Sequence, residues 1–221
     1  MNVKGPILFI TGAGASVDSG LRTYRGPGGV YEEEGNPAQD LSIDTWRSNP
    51  TKTWNTLSPL VKAVRKAKPG PTYQLMKEIA KKYDVTIHTQ NVDGFSRTVC
   101  DEVWEMHGDV RTMFCEHCRG VYELDEHNYI CGKCREYCKP NIVFYGEDIR
   151  PRTTLRKRFK TVIVIGTTLQ FPYLRNMINQ YRQKGAVVIH INPADNYSSF
   201  VGYDTWMKMK SEDALKQLFV S

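Results

Sequence analysis

The sequence predicts an α/β protein with a mostly parallel sheet and a smaller part that carries zinc-ribbon cysteine spacing. Three observations lead there. Short apolar runs stop at glycine or polar clusters, helix-period segments lie between them, and one interval replaces that rhythm with paired cysteines. The 221 residues are 40% hydrophobic and 24% charged, which excludes a fibrous or disordered chain and leaves one good-sized domain or a large domain with a small appendage.

The first apolar run, Ile7-Leu8-Phe9-Ile10-Thr11, stops at Gly12-Ala13-Gly14 and reads as a buried parallel strand entering a tight turn. Residues 84–90, 103–107, 161–165 and 186–192 repeat the pattern. Residues 51–67 place Trp54, Leu57, Val61 and Val64 at three- and four-residue intervals, the period of a helix with one buried face. Residues 73–82 and 174–184 read as further helices, the latter with Pro172 near its start and Gly185 after its end. Residues 26–44, with Pro27-Gly28-Gly29 and Gly35-Asn36-Pro37, read as a long mobile loop. In residues 150–160 Leu155 and Phe159 stand four apart among six basic residues, the pattern of a surface helix with one buried stripe.

Thirty Lys and Arg against 24 Asp and Glu give a formal charge of +6, which favours anionic ligands without selecting one. The first eleven residues carry no cleavage pattern, and no apolar stretch approaches the roughly 20 residues that span a bilayer. A soluble, cytoplasmic protein without a membrane partner is expected.

Four of the six cysteines fall as Cys115-x2-Cys118 and Cys131-x2-Cys134 with twelve residues between the pairs, the spacing of a zinc ribbon. Four thiolates complete a tetrahedron and leave no open position for water, so one structural zinc ion is expected in a module over residues 109–139, a metal in place of a core. His117 and Cys138 are weaker candidate ligands. The turn Gly12-Ala13-Gly14-Ala15-Ser16 follows a strand and lets backbone approach a pyrophosphate, although Val17 stands where the dinucleotide fingerprint has its third glycine. Alone, that turn is as often plain turn geometry as a ligand cradle. Asn91 and Asp93 follow a strand, at the sheet edge where ligands of open α/β folds gather, or else cap a helix. His107 has an ordinary pKa near 6.5, suited to proton transfer, while His88 and His190 lie in strands and read as core or cleft lining.

Together with Ser19-Gly20-Leu21-Arg22-Thr23-Tyr24-Arg25-Gly26, Thr89-Gln90-Asn91-Val92-Asp93-Gly94, His107-Gly108, the paired cysteines, Asn141-Ile142-Val143-Phe144-Tyr145-Gly146-Glu147 and Gly166-Thr167-Thr168-Leu169, these motifs resemble in order and content the sirtuins, the NAD-dependent protein lysine deacylases. The resemblance implies a Rossmann-like NAD-binding domain over residues 1–25, 70–108 and 140–221. Residues 26–69 would form the cofactor loop and helical part of the small domain, and residues 109–139 its zinc module. It implies that NAD is held by Gly12, Ala13, Gly14, Ser16, Tyr24, Arg25, Gln90, Asn91, Asp93, Gly166, Thr167, Thr168 and Asn192. His107 would be the general base on a ribose hydroxyl, with Asn91 and Asp93 at the nicotinamide. The substrate, an acyl-lysine protein or peptide, would pair with Val143 and Phe144 and pass Gly146. The implied reaction begins with attack of the acyl oxygen on the ribose C1′ and yields free lysine, nicotinamide and O-acyl-ADP-ribose.

Two departures from the family pattern bear on the acyl group. Thr23 and Tyr24 replace the aspartate and phenylalanine usual before the motif arginine, as in the branch that removes acidic acyl groups. Yet none of the twelve tyrosines is followed by arginine in that branch's Tyr-x-x-Arg spacing, and Trp54 with Leu57 occupies the equivalent place. Burying a succinyl carboxylate without an arginine clamp is costly, so acetyl or apolar acyl groups are expected. The alternatives are mono-ADP-ribosyl transfer or NAD hydrolysis in the same cleft, or a non-catalytic NAD- or nucleic-acid-binding module. Nucleic acid is not the expected partner, and regulatory tails are not expected.

Overall fold

Six parallel strands form the main sheet in a computed structural model that describes residues 3–23, 29, 37–125, 128–154, 158–194 and 202–220. With strands numbered along the chain, the spatial order is β3 (Val103–Glu105), β2 (Val85–Thr89), β1 (Ile7–Thr11), β7 (Thr161–Ile165), β8 (Val187–Ile191) and β9 (Thr205–Met207). Counted within this sheet the order is 3-2-1-4-5-6, the doubly wound arrangement whose two halves meet between β1 and β7.

The central strands are apolar on both faces, so both faces need a cover. Ile7, Phe9, Ile87, Ile163 and Ile165 point into one core, which they share with Tyr73, Met76 and Ile79 of helix α3 (Pro71–Ala80) and with Ala214 and Leu215 of α5 (Ser211–Phe219). Leu8, Ile10, Val162 and Val164 point into the other, against Leu174, Ile178 and Tyr181 of α4 (Pro172–Gln183). Pro71 and Pro172 each stand in the first turn of their helices, where a missing N–H leaves no bond unmade.

A second sheet is antiparallel, with β4 (Gly108–Phe114) between β5 (Val121–Glu123) and β6 (Lys139–Ile142). Beside it lie α1 (Ile43–Ser48), capped by the Ser42 hydroxyl accepting from the Thr45 N–H at 3.1 Å, and α2 (Pro50–Lys66), capped by Asn49. The buried stripe of α2 is the expected one, Trp54, Leu57, Val61 and Val64. Trp54 stacks on Tyr129 with ring centres 4.0 Å apart and donates to the Cys138 carbonyl at 3.2 Å. The cysteine module is therefore not a metal in place of a core. Met113, Leu124 and Cys138 bury side chains there in one continuous core with Trp46 and Trp54.

Other expectations need correction. The stretch 26–44 already holds the start of α1, and Ser42 pairs with Tyr145 as a bridge; residues 24–28 and 30–36 lie outside the described ones. No helix occurs in the described parts of 150–160, since residues 150–154 and 158–160 follow an irregular path, and Leu155 is not described. Phe159 is buried there because its ring meets Tyr181 edge-on at 5.3 Å, not because it lies on a helix face. The strand expected to end at His107 ends at Glu105, leaving His107 in the turn before β4. β9 and α5 had no counterpart in the sequence reading. No helix among the described residues is long and apolar enough to cross a membrane.

Candidate functional site

The ends of β1 and β7 meet where the sheet reverses direction, and both turns there are built from glycine. Gly12 N–H donates to the Ile165 carbonyl and Gly14 N–H to the Gly166 carbonyl, both at 2.9 Å. A Cβ on Gly14 would stand 2.6 Å from the Gly166 Cα, and Gly166 itself has φ +61°. These glycines are thus required first by close approach of the two turns. After Gly12 the chain enters seven residues of 3-10 helix, Ala13–Ser19, rather than an α-helix.

Over these turns lies a cavity of about 990 Å³. Its wall includes Gly12, Ala13, Gly14, Gln90, Asn91, His107, Gly166, Thr167, Thr168 and Asn192, and on another side Val143, Phe144 and Gly146. Thirteen positions expected from the sequence thus share one cavity. Ser16 and Asp93 do not line it; they sit beneath its floor, 3% and 4% exposed. Tyr24 and Arg25, expected at the cofactor, lie outside the described residues, as does His127.

Beneath the floor is a buried polar knot. The Asn91 side-chain amide donates to the Gly12 carbonyl at 3.0 Å and faces the Ser16 hydroxyl at 3.0 Å and the Tyr73 hydroxyl at 3.1 Å. Ser16 donates to the Asp93 carboxylate at 2.7 Å and lies 2.8 Å from the Tyr73 hydroxyl, while the other Asp93 oxygen accepts from the Phe95 N–H at 2.9 Å. Burial raises the pKa of Asp93, against the lowering effect of its Ser16 and Phe95 hydrogen bonds. Burial likewise pushes the Tyr73 phenol far up, so it stays protonated. Tyr73 was missed from sequence: with Met76 and Ile79 it falls on the buried face of α3, and periodicity does not reveal its hydroxyl.

His107 Nε2 lies 2.8 Å from the Tyr173 hydroxyl, and the Gln90 backbone is a hydrogen-bond partner of the ring. Burial lowers the pKa of His107, partly offset by the Gln90 bond. Gln90 in turn accepts from the Thr167 hydroxyl at 2.7 Å, and Asn192 donates to the Thr167 carbonyl at 3.2 Å, which ties the ends of β2, β7 and β8 together. His88 and His190 are both fully buried in the core, as expected.

Along the cavity's other side, Val143 N–H donates to the His107 carbonyl at 2.8 Å, directly past the end of β6. Phe144 is 2% exposed, packs on Trp46 and has the Lys139 ammonium 4.4 Å from its ring centre. Lys139 is paired with Glu147 at 2.6 Å, and Glu147 also accepts from the Phe144 N–H at 2.7 Å, so an ion pair pins this segment. Gly146, with φ +91°, turns the chain after it.

The Sγ atoms of Cys115, Cys118, Cys131 and Cys134 lie within 4.8 Å of one another, with two pairs at 3.4 and 3.6 Å. A tetrahedral zinc site with bonds of about 2.3 Å has sulfur–sulfur edges of about 3.8 Å, so the donor set and spacing fit zinc. His117 and Cys138 are not in the cluster. The Tyr122 hydroxyl, not foreseen, stands 3.5 and 3.3 Å from the Cys118 and Cys131 sulfurs.

A doubly wound parallel sheet with a cavity at its switch point and a four-thiolate module at its side defines a Rossmann-type protein with a metal-ribbon appendage. The chain belongs to the Sir2 family, whose model matches residues 12–172. It is 36% identical over 207 residues to the NAD-dependent protein deacylase 2 of Pseudomonas aeruginosa, covering 85% of this chain and 81% of that protein. It is 28% identical to the NAD-dependent protein deacetylase of Staphylococcus epidermidis, covering 92% and 89%. Among solved structures, a mutant Sir2 homologue in complex with ADP-ribose matches with a TM-score of 0.86 at 25% identity, over 96% of this chain and 90% of that one. A mutant Sir2 homologue with 2′-O-acetyl-ADP-ribose matches at 0.84 and 25%, over 96% and 89%.

Proposed function

We propose that this chain is an NAD-dependent protein lysine deacylase, most active on acetyl-lysine, and that His107 is its general base. The observation that carries the reading is the single cavity that joins the glycine turns at the β1/β7 switch point, His107, and the segment around Val143. Family membership and the names of the relatives give the reaction class.

The residues present fit NAD: an elongated polar ligand finds backbone turns at Gly12–Gly14 and Gly166, and amide and hydroxyl groups at Gln90, Asn91, Thr167 and Asn192. NAD supplies the ribose that accepts the acyl group and nicotinamide as leaving group. Thr168 and Ala13 complete the wall beside the two turns. Asn91 is locked by its contacts to Gly12, Ser16 and Tyr73, so it presents a fixed amide to the nicotinamide half. Asp93 acts from below, holding Ser16 and so Asn91. Tyr24 and Arg25 are assigned to the cofactor by the family motif alone. His107 is kept neutral by burial and accepts a sugar hydroxyl proton. Val143 and Gly146 offer backbone to the peptide, which makes recognition tolerant of peptide sequence.

We assign one structural zinc to Cys115, Cys118, Cys131 and Cys134; its chemistry is to tie β4 and β5 to the loop before β6. The domain division at 1–25, 70–108 and 140–221 against 26–69 and 109–139 is retained, with β4 and β6 lying across its borders. Four thiols packed this closely are suited to a reducing, cytoplasmic setting.

Replacing His107 by Ala tests the assignment. Turnover of an acetyl-lysine peptide should fall by about 10²–10⁴, the share a general base supplies. Parental turnover in that variant contradicts it.

A further inference from the structure

Tyr173 is the second residue of α4, behind Pro172, and its hydroxyl lies 2.8 Å from Nε2 of His107. The direction of that bond follows from the rest of the ring. The Gln90 N–H is already given to the Thr11 carbonyl at 2.9 Å, so the Gln90 backbone group that bonds His107 is its carbonyl, and the imidazole donates there. A neutral imidazole has one N–H and one lone pair. With the proton on Nδ1, Nε2 carries the lone pair and Tyr173 donates to it.

The phenol is built in. Its ring stacks on Phe171 at 5.7 Å, Phe171 meets the His107 ring edge-on at 5.9 Å, and the Gln90 side-chain amide approaches the phenol oxygen at 3.5 Å. Burial pushes the Tyr173 pKa up to about 12, so at neutral pH it is a donor. Both Tyr173 and His107 reach the cavity wall.

We propose that Tyr173 is a positioning residue for His107: its phenol caps Nε2 in the open cleft, fixes the Nδ1–H tautomer with the base lone pair turned to the cavity, and releases that lone pair to the incoming sugar hydroxyl. This rests on His107 acting as the base. Among the ionisable groups on the surrounding elements, Glu105 at the end of β3 pairs with Arg97 at 2.9 Å through one oxygen, while its Oε1 is buried without a partner among the described residues. Asp109 pairs with Arg111 at 2.6 Å and Glu147 with Lys139 at 2.6 Å, Arg150 donates to Asn141, and Asp148 lies on the cavity wall. Burial lowers the proton affinity of His107 and the Gln90 bond raises it; the phenol, donating to Nε2, lowers it further.

Histidine-labelled enzyme and its Tyr173→Phe variant provide the test. In the parent, long-range proton–nitrogen spectra should show His107 as the Nδ1–H tautomer. The variant loses a donor that favours the neutral ring, so the His107 midpoint should rise by roughly half a pH unit or more. The acid limb of kcat/KM, which reports free enzyme, should move up with it, while plateau kcat stays within about threefold because the bound sugar has replaced the phenol. An Nε2–H tautomer in the parent, an unmoved midpoint, or a kcat lowered about a hundredfold overturns the proposal, the last because the phenol would then pass the proton itself. His107→Ala run beside it separates the two readings. Parental turnover there ends the base assignment and leaves the tautomer result standing. An inactive His107→Ala with an unmoved Tyr173→Phe midpoint ends only the capping role.

Discussion

At the scale of residues, the site depends on polar groups that never meet solvent. Tyr73→Phe keeps the ring that meets Phe95 edge-on at 5.6 Å and removes only a hydroxyl shared between Ser16 and Asn91. Asn91 retains the Gly12 carbonyl and Ser16, so the expected loss of stability is about 1 kcal/mol, read by urea unfolding, accompanied by a raised KM for NAD. Unchanged stability and KM would show that the knot does not depend on this phenol. His88 gives a pH prediction. Its Nε2 bonds Thr154 at 2.9 Å, and burial, then the charge of Arg152, pushes its pKa down to about 3. The folded ring stays neutral while the unfolded chain takes up a proton near pH 6.5. Stability from this group is therefore complete above about pH 6.5 and falls by about 1.4 kcal/mol per pH unit below it, until the folded ring titrates. His88→Phe should flatten the pH slope of unfolding free energy by about one proton between roughly pH 6 and 5; an unchanged slope contradicts the burial account. Motif order singled out Asn91, Asp93 and His107; Asn91 and His107 line the cavity, and Asp93 sits beneath its floor. Tyr73 was not legible in the sequence, because a tyrosine at helical spacing looks like any other core residue until its hydroxyl partner is known, nor was Tyr173, which stands just outside the helix expected over 174–184.

At the scale of elements, strands buried on both faces were the most readable. Ile7–Thr11 and Thr161–Ile165 are apolar at nearly every position and end at glycine, and each forms where expected. Three-residue strands such as Val121–Glu123 and Thr205–Met207 carry too short a pattern, and depend on a neighbour to pair with. In residues 150–160, spacing four apart suggested a helix, but Phe159 is placed by contact with Tyr181 and His88 across the core. Cysteine spacing foretold that Cys115, Cys118, Cys131 and Cys134 would cluster, whereas the apolar core shared with Trp54 was not foreseen, because Tyr129 and Trp54 are 75 positions apart and meet only in the fold. Metal removal tests how the two parts divide. Chelation should release one zinc per chain and collapse hydrogen-exchange protection in residues 109–139, while β1 and β7 keep theirs. Equal loss of protection throughout would mean that the thiolate module is no separate cooperative unit.

At the scale of the whole molecule, two turns at a topological switch point and a strand segment from the small sheet enclose one space, so a nucleotide and an extended peptide can meet beside one imidazole. The wall also bears on the acyl group. Among the described residues it includes Asp18, Glu147, Asp148 and Glu212 but no arginine, and Trp54 is 2% exposed in the core rather than on the wall. Acetyl-lysine peptides should therefore be turned over faster than succinyl-lysine peptides in a side-by-side panel. A tenfold succinyl preference, about 1.4 kcal/mol, would contradict that reading. The measurement that reaches furthest is mass spectrometry of the products formed from NAD and an acetyl-lysine peptide. Nicotinamide, free lysine and O-acetyl-ADP-ribose appearing in equal amounts, and only when both reactants are present, is the predicted result; ADP-ribose released at the same rate without the peptide would contradict it.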